Sequence, residues 1–125
     1  MPVDQTPKLI AIIDDDEAMQ DCLRDLMEAA GLVAHCFASA EEFLASDLRA
    51  QAACLILDIH MPNMSGLQLQ ARLKEEECDI PIIFITAHGD ARMRIRAMRE
   101  GAVEFLAKPF DHQVLLKRVR AALDT

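Results

Sequence analysis

The sequence predicts an α/β protein: a single doubly wound domain built on a five-stranded parallel sheet. Two observations carry this. Short apolar runs alternate five times with segments of helical periodicity, the pattern of repeated strand–helix crossovers, which are right-handed. Several of these runs are apolar almost throughout, as strands covered on both faces are. The 125 residues suit one domain with one core, and no repeat, linker or low-complexity segment interrupts the alternation.

In order along the chain, residues 1–7 are polar, contain two prolines and read as a frayed tail, so the domain is expected over 8–124. Leu9 to Ile13 is the first strand and runs into Asp14-Asp15-Asp16-Glu17. The helix after it repeats Met19, Cys22, Leu23, Leu26, Met27 and Ala30 at helical spacing and stops at Gly31. Val33 to Phe37 is the second strand. Ser39-Ala40-Glu41-Glu42 has the form of a capping box and opens a helix with Phe43 and Leu44 on its apolar face. Ala53 to Leu57 is the third strand and delivers one carboxylate, Asp58, at its end, where Pro62, Asn63 and Gly66 turn the chain. The third helix spans about Ser65 to Glu77, with Leu69 and Leu73 inward.

Pro81 marks the entry to the fourth strand, Ile82 to Ile85, which ends at Thr86. Gly89-Asp90 leads into the fourth helix, whose expected inner stripe is Ala91, Ile95 and Met98, with Arg92, Arg96 and Arg99 outward. Gly101 ends that helix, and Val103 to Ala107 is the fifth strand, finishing at Lys108-Pro109. Asp111 caps the last helix, whose core face is Val114, Leu115, Val119 and Leu123.

Hydrophobic residues make up 52% of the chain and charged ones 27%, a globular composition. The net charge of −8 argues against binding nucleic-acid backbone. No apolar run approaches a membrane span, and the N-terminus lacks a signal-peptide pattern, so a cytoplasmic location is expected. Cys22, Cys36, Cys54 and Cys78 are scattered without a C-x-x-C pair and read as small buried hydrophobes.

The chemistry gathers at the strand ends, where ligands of open parallel sheets bind. The first strand delivers Asp14 and Asp15, the third Asp58, the fourth Thr86 and the fifth Lys108. Three converging carboxylates repel unless a cation sits among them, and oxygen ligands with room for water suit Mg²⁺. Carboxylates also form acyl phosphates. Phosphoryl transfer needs mainly positioning and charge neutralisation, which a metal ion and a lysine supply. Asp16 and Glu17 read as a solvated acidic helix start.

With those residues in place, the chain resembles the receiver domain of a two-component response regulator over residues 8–123. The resemblance rests on Asp14-Asp15, on Asp58 with Met61-Pro62-Asn63-Met64-Ser65-Gly66, on Thr86-Ala87, on Gly101-Ala102 and on Lys108-Pro109-Phe110. It implies a flavodoxin-like sheet of order 2-1-3-4-5 and a site in which Asp58 accepts a phosphoryl group. Asp14 and Asp15 would form the acidic pocket, with Asp15 and Asp58 as Mg²⁺ ligands and the backbone carbonyl of His60 as a further one. Thr86 matches the switch hydroxyl, Lys108 the phosphoryl-binding lysine and Phe105 the aromatic that turns inward on activation. The Lys108–Pro109 bond is expected to be cis.

His60 and His88 fall where family side chains tune the phosphoryl lifetime, while His35 and His112 read as structural. Thr86-Ala87-His88-Gly89-Asp90 together with Phe105 resembles receivers that precede a LuxR-type helix-turn-helix domain. The resemblance thus implies a sensor histidine kinase as phosphodonor and dimerisation through helix four, strand five and helix five; from the residues themselves, Glu104 and Asp111 are candidate opposite charges for the helix-four arginines. It also implies contact with DNA only through a separate output domain, in control of transcription. Two rivals remain. A Mg²⁺-dependent phosphatase with an aspartyl nucleophile would want an acid where His60 stands, and a receiver-like domain that is never phosphorylated would lack one of the acids.

Overall fold

Residues 8–87 and 91–124 are described by the computed structural model. The apolar runs form β1 (Leu9–Ile13), β2 (Val33–Phe37), β3 (Ala52–Leu57), β4 (Ile82–Thr86) and β5 (Glu104–Ala107). They lie parallel in the order β2-β1-β3-β4-β5. Every residue of β1 and β4 is buried, whereas edge strands β2 and β5 carry exposed residues. Near-continuous apolarity therefore marks the centre of the sheet, and alternation marks its edges.

The helices are α1 (Glu17–Ala29), α2 (Ala40–Ala45), α3 (Gly66–Glu75), α4 (Ala91–Arg99) and α5 (His112–Leu123), with a 3-10 turn at Asp47–Gln51. One face of the sheet packs Leu23 and Met27 of α1 against Leu115, Val119 and Leu123 of α5. The other packs Phe43 of α2, Leu69 and Leu73 of α3 and Ala97 of α4. Asp16 caps α1, its carboxylate accepting the Ala18 N–H, and Asp111 caps α5, accepting those of Gln113 and Val114. Gly31, at φ +80, follows α1 in the left-handed conformation that favours glycine.

Several expectations need correction. The inner stripe of α4 is Met93 and Ala97, while Ile95 is 55% exposed and Ala91 and Met98 also face out. Both stripes have helical spacing, and periodicity alone does not choose between them; the one turned to the sheet has only small Ala97 fully buried. Val114 is likewise exposed, and Ala122 takes a place in the core. Of the cysteines only Cys54 is buried, and Cys22 is exposed. Ser39 does cap α2, but the Glu42 carboxylate accepts from the N–H of Ala38 rather than that of Ser39. The reciprocal capping box occurs instead on α3, between Ser65 and Gln68. The tail 1–7, His88 and the Gly89-Asp90 turn lie outside the described residues.

Candidate functional site

Strand register builds the site. Ile13 pairs with Leu57, so Asp14 and Asp58 leave neighbouring strands at the same level. Thr86 pairs with Ala107, and the N–H of Lys108 donates to the Thr86 carbonyl at 2.9 Å, which sets the lysine beside them. Asp14 is fixed further by its own N–H, which donates to the Phe37 carbonyl at 3.1 Å, and by its carbonyl, which accepts from Gln20 Nε2 at 2.6 Å.

Asp14, Asp15 and Asp58 bring carboxylate oxygens within 4.8 Å of one another. Asp14 and Asp58 are buried and Asp15 is exposed, so the cluster opens to solvent on one side. Lys108 Nζ donates to Asp14 Oδ2 at 3.0 Å and to Asp58 Oδ2 at 3.4 Å. The other Asp14 oxygen accepts the Asp16 N–H at 2.9 Å, and Asp58 Oδ1 accepts that of His60 at 3.2 Å.

Burial pushes the Asp14 carboxyl above its ordinary range, and the nearby Asp58 charge adds to this against the bonds from Asp16 and Lys108. Burial by itself would lower Lys108, but its bond to Asp14 and the charges of Asp14 and Asp58 together raise it. Lys108 is therefore held as a cation between two carboxylates. An all-oxygen donor set with one open side fits a small hard cation such as Mg²⁺.

Thr86 is fully buried at the end of β4. Phe105 is buried as well, its ring tilted 45° to that of Phe84 at a centroid distance of 6.2 Å. The Lys108–Pro109 bond is cis. The His60 side chain is exposed and supplies no atom to the carboxylate cluster. Within the chain Glu104 accepts from Arg118 at 3.0 Å, and Asp111 caps α5 through Oδ1.

Two contributions to this region were not anticipated. Gln20 anchors Asp14, and no simple pattern marks it. Gly66, in the first turn of α3 as expected, packs directly against the end of β3: a Cβ there would lie 2.3 Å from the Asp58 carbonyl oxygen. Its donor N–H reaches the Ile59 carbonyl at 2.9 Å. The left-handed residue of the turn between β3 and α3 is Asn63, at φ +69.

The profile of the response regulator receiver domain matches residues 10–120. The chain belongs to that family. Over 115 residues the receiver is 49% identical to the response regulator protein TodT of Pseudomonas putida, covering 92% of this chain and 51% of TodT. It is 37% identical over 114 residues to the transcriptional regulatory protein FixJ of Bradyrhizobium diazoefficiens, covering 91% of this chain and 56% of FixJ. This receiver spans about half the length of the curated relatives it matches. Among solved structures, the response regulator StyR superposes with a TM-score of 0.87 at 43% identity, covering 95% of this chain and 60% of StyR. The N-terminal part of FixJ superposes at 0.84 with 34% identity, and 96% of each chain is covered. Among the described residues no helix is long and apolar enough to cross a membrane.

Proposed function

We propose that this receiver is a phosphorylation-driven switch in which an Asp58 oxygen attacks the phosphorus of a donor and forms an acyl phosphate. The observation that carries this reading is the burial of Asp58 beside Lys108, within a carboxylate cluster open on one side. The donor is the phosphohistidine of a sensor histidine kinase, or a small acyl phosphate, and its histidine or carboxylate leaves as the Asp58–phosphorus bond forms. Mg²⁺ held by Asp14, Asp15 and Asp58, with the His60 carbonyl, would neutralise charge on the transferred group. Lys108 exchanges part of its contact with Asp58 for a phosphoryl oxygen, and the Thr86 hydroxyl donates to another. His60 and His88 set how long the group survives. The domain acts as a phospho-acceptor with slow self-dephosphorylation, not as a turnover enzyme.

The output surface is the face of α4, β5 and α5, and it controls transcription through a separate DNA-binding domain. Exposed Ile95 and Met98 on α4, Val103 just before β5 and Val114 on α5 support it as the face on which two phosphorylated copies meet. Incubation with acetyl phosphate and Mg²⁺, read by intact mass, should add one phosphoryl group to the wild type and none to Asp58→Asn. Undiminished labelling of that variant would refute the assignment. Sedimentation with beryllofluoride, which mimics the acyl phosphate, should show a dimer; a chain that stays monomeric at high concentration would assign the face to another partner.

A further inference from the structure

Among the described residues four polar or charged side chains are buried: Asp14, Asp58, Thr86 and Gln70. Three belong to the strand-end cluster. Gln70 does not. It sits on the inner face of α3, 4% exposed, and its Nε2 donates to the backbone carbonyl of Ala97 in α4 at 3.0 Å. A buried amide is tolerated only when its polar atoms are bonded, so this contact ties α3 to α4.

The acceptor lies at a particular place. The Ala97 carbonyl also receives the N–H of Ala102 at 3.0 Å, in the turn that closes α4 at Gly101, whose φ is +105. Gln70 therefore grips the closing turn of the helix. Two further links hold the same end. Lys74 of α3 pairs with Glu100 at 3.0 Å, and the Val103 N–H donates to the Ile82 carbonyl at 2.8 Å. Ala97 and Ala102 are also buried in the core at this end, beside an open groove of about 300 Å³ lined by Gln70, Leu73, Lys74, Glu100 and Val103.

The opposite end of α4 differs. Ala91, Arg92, Arg94 and Ile95 are exposed, and only Met93 is half-buried. Arg92 and Arg94 place positive charge in the first turn, where the helix dipole disfavours it, and Arg92 and Arg96 are like charges one turn apart. This exposed, positively charged end is the one nearer Thr86 in the chain.

We propose that Gln70 is a positioning residue for signal transmission, clamping the C-terminal end of α4 so that the helix swings about that end. The inference rests on reading α4, β5 and α5 as the output face. With one end clamped, a small inward shift at Thr86 becomes a directed movement of Ile95 on the exposed face. Without the clamp the same shift is dissipated as looseness at both ends.

Hydrogen exchange of the unphosphorylated chain tests the clamp without involving phosphoryl chemistry. Gln70→Met keeps an unbranched side chain of similar size and removes the donor. Amides from Ala97 to Ala102 should then exchange about two- to tenfold faster, the worth of one hydrogen bond, with α1 and α2 unchanged. Gln70→Asn, whose amide is retracted by one methylene, should act in the same direction. Phosphoryl uptake from acetyl phosphate should stay within about twofold of wild type, while dimerisation with beryllofluoride should need severalfold more protein. Unchanged exchange over 97–102, a uniform loss of protection across all helices, or failure of both variants to fold would overturn the proposal. Absence of phosphoryl uptake by the wild type would remove the Asp58 reading and leave the exchange result to decide the clamp.

Discussion

Helices α3 and α4 pack on the same face of the sheet, yet one is built as a wall and the other as a lever. α3 opens with a reciprocal capping box and buries Gly66, Leu69, Gln70 and Leu73. α4 buries only Ala97 and leaves four arginines and two large apolar side chains exposed. The difference follows their neighbours. α3 begins against the backbone of Asp58, where there is no room even for a methyl group. α4 follows Thr86, where the switch proposed above would require two arrangements of similar free energy. Rigidity at the chemistry and looseness beside it are therefore assigned to adjacent helices of one layer.

The largest effect should come from disturbing the wall. Gly66→Ala places a methyl group against the Asp58 carbonyl, and backbone cannot yield as a flexible side chain does. The variant should lose about 2–3 kcal/mol in denaturant unfolding and most of its phosphoryl uptake. If stability and uptake are both retained, α3 is not tightly seated and the contrast with α4 fails.

A matched pair of truncations compares the helices directly. Leu69→Ala removes a fully buried side chain and should cost about 2–5 kcal/mol. Ile95→Ala removes a side chain that is 55% exposed and should change stability by no more than about 0.5 kcal/mol. The second variant should nonetheless weaken the dimer formed with beryllofluoride. Equal stability costs in chemical denaturation would show α4 to be as firmly packed as α3.

The smallest effect concerns the electrostatics of the rigid region. Because the folded Asp14 carboxyl is raised above the unfolded value of 3.8, the native state binds its proton more tightly. The penalty of ionised Asp14 is absent below the unfolded value, grows as pH rises through the folded one and stays constant above it. Asp14→Asn carries no such penalty. Its melting temperature relative to wild type should therefore be higher at neutral pH than in acid below the ordinary carboxylate range. A difference that stays constant across that window in thermal scans would mean that Lys108 and the Asp16 N–H fully compensate the burial of Asp14.

Most of the architecture was legible because its signals are local. Uninterrupted apolar runs at Leu9–Ile13 and Ile82–Ile85 mark central strands, and Gly31 and Asp111 mark helix ends by backbone chemistry that acts within a few residues. The strand-end cluster was legible too, since parallel strands all deliver their last residues to one edge, where Asp14, Asp58 and Lys108 meet. The phase of α4 was not: Ala91, Ile95 and Met98 form as regular a stripe as Met93 and Ala97, and the choice depends on how α4 meets the sheet and α3. Gln70 had a readable signal, lying with Gly66, Leu69 and Leu73 on one helical face, but its partner is a backbone carbonyl 27 positions away. Likewise Gly66 announces a turn by residue type, whereas its closeness to the Asp58 carbonyl arises only when α3 folds back over β3. Sequence alone determined which groups reach the edge of the sheet, because strand direction and periodicity are short-range properties. Tertiary structure decided which helix is clamped and which can move, because that depends on non-local contacts between faces.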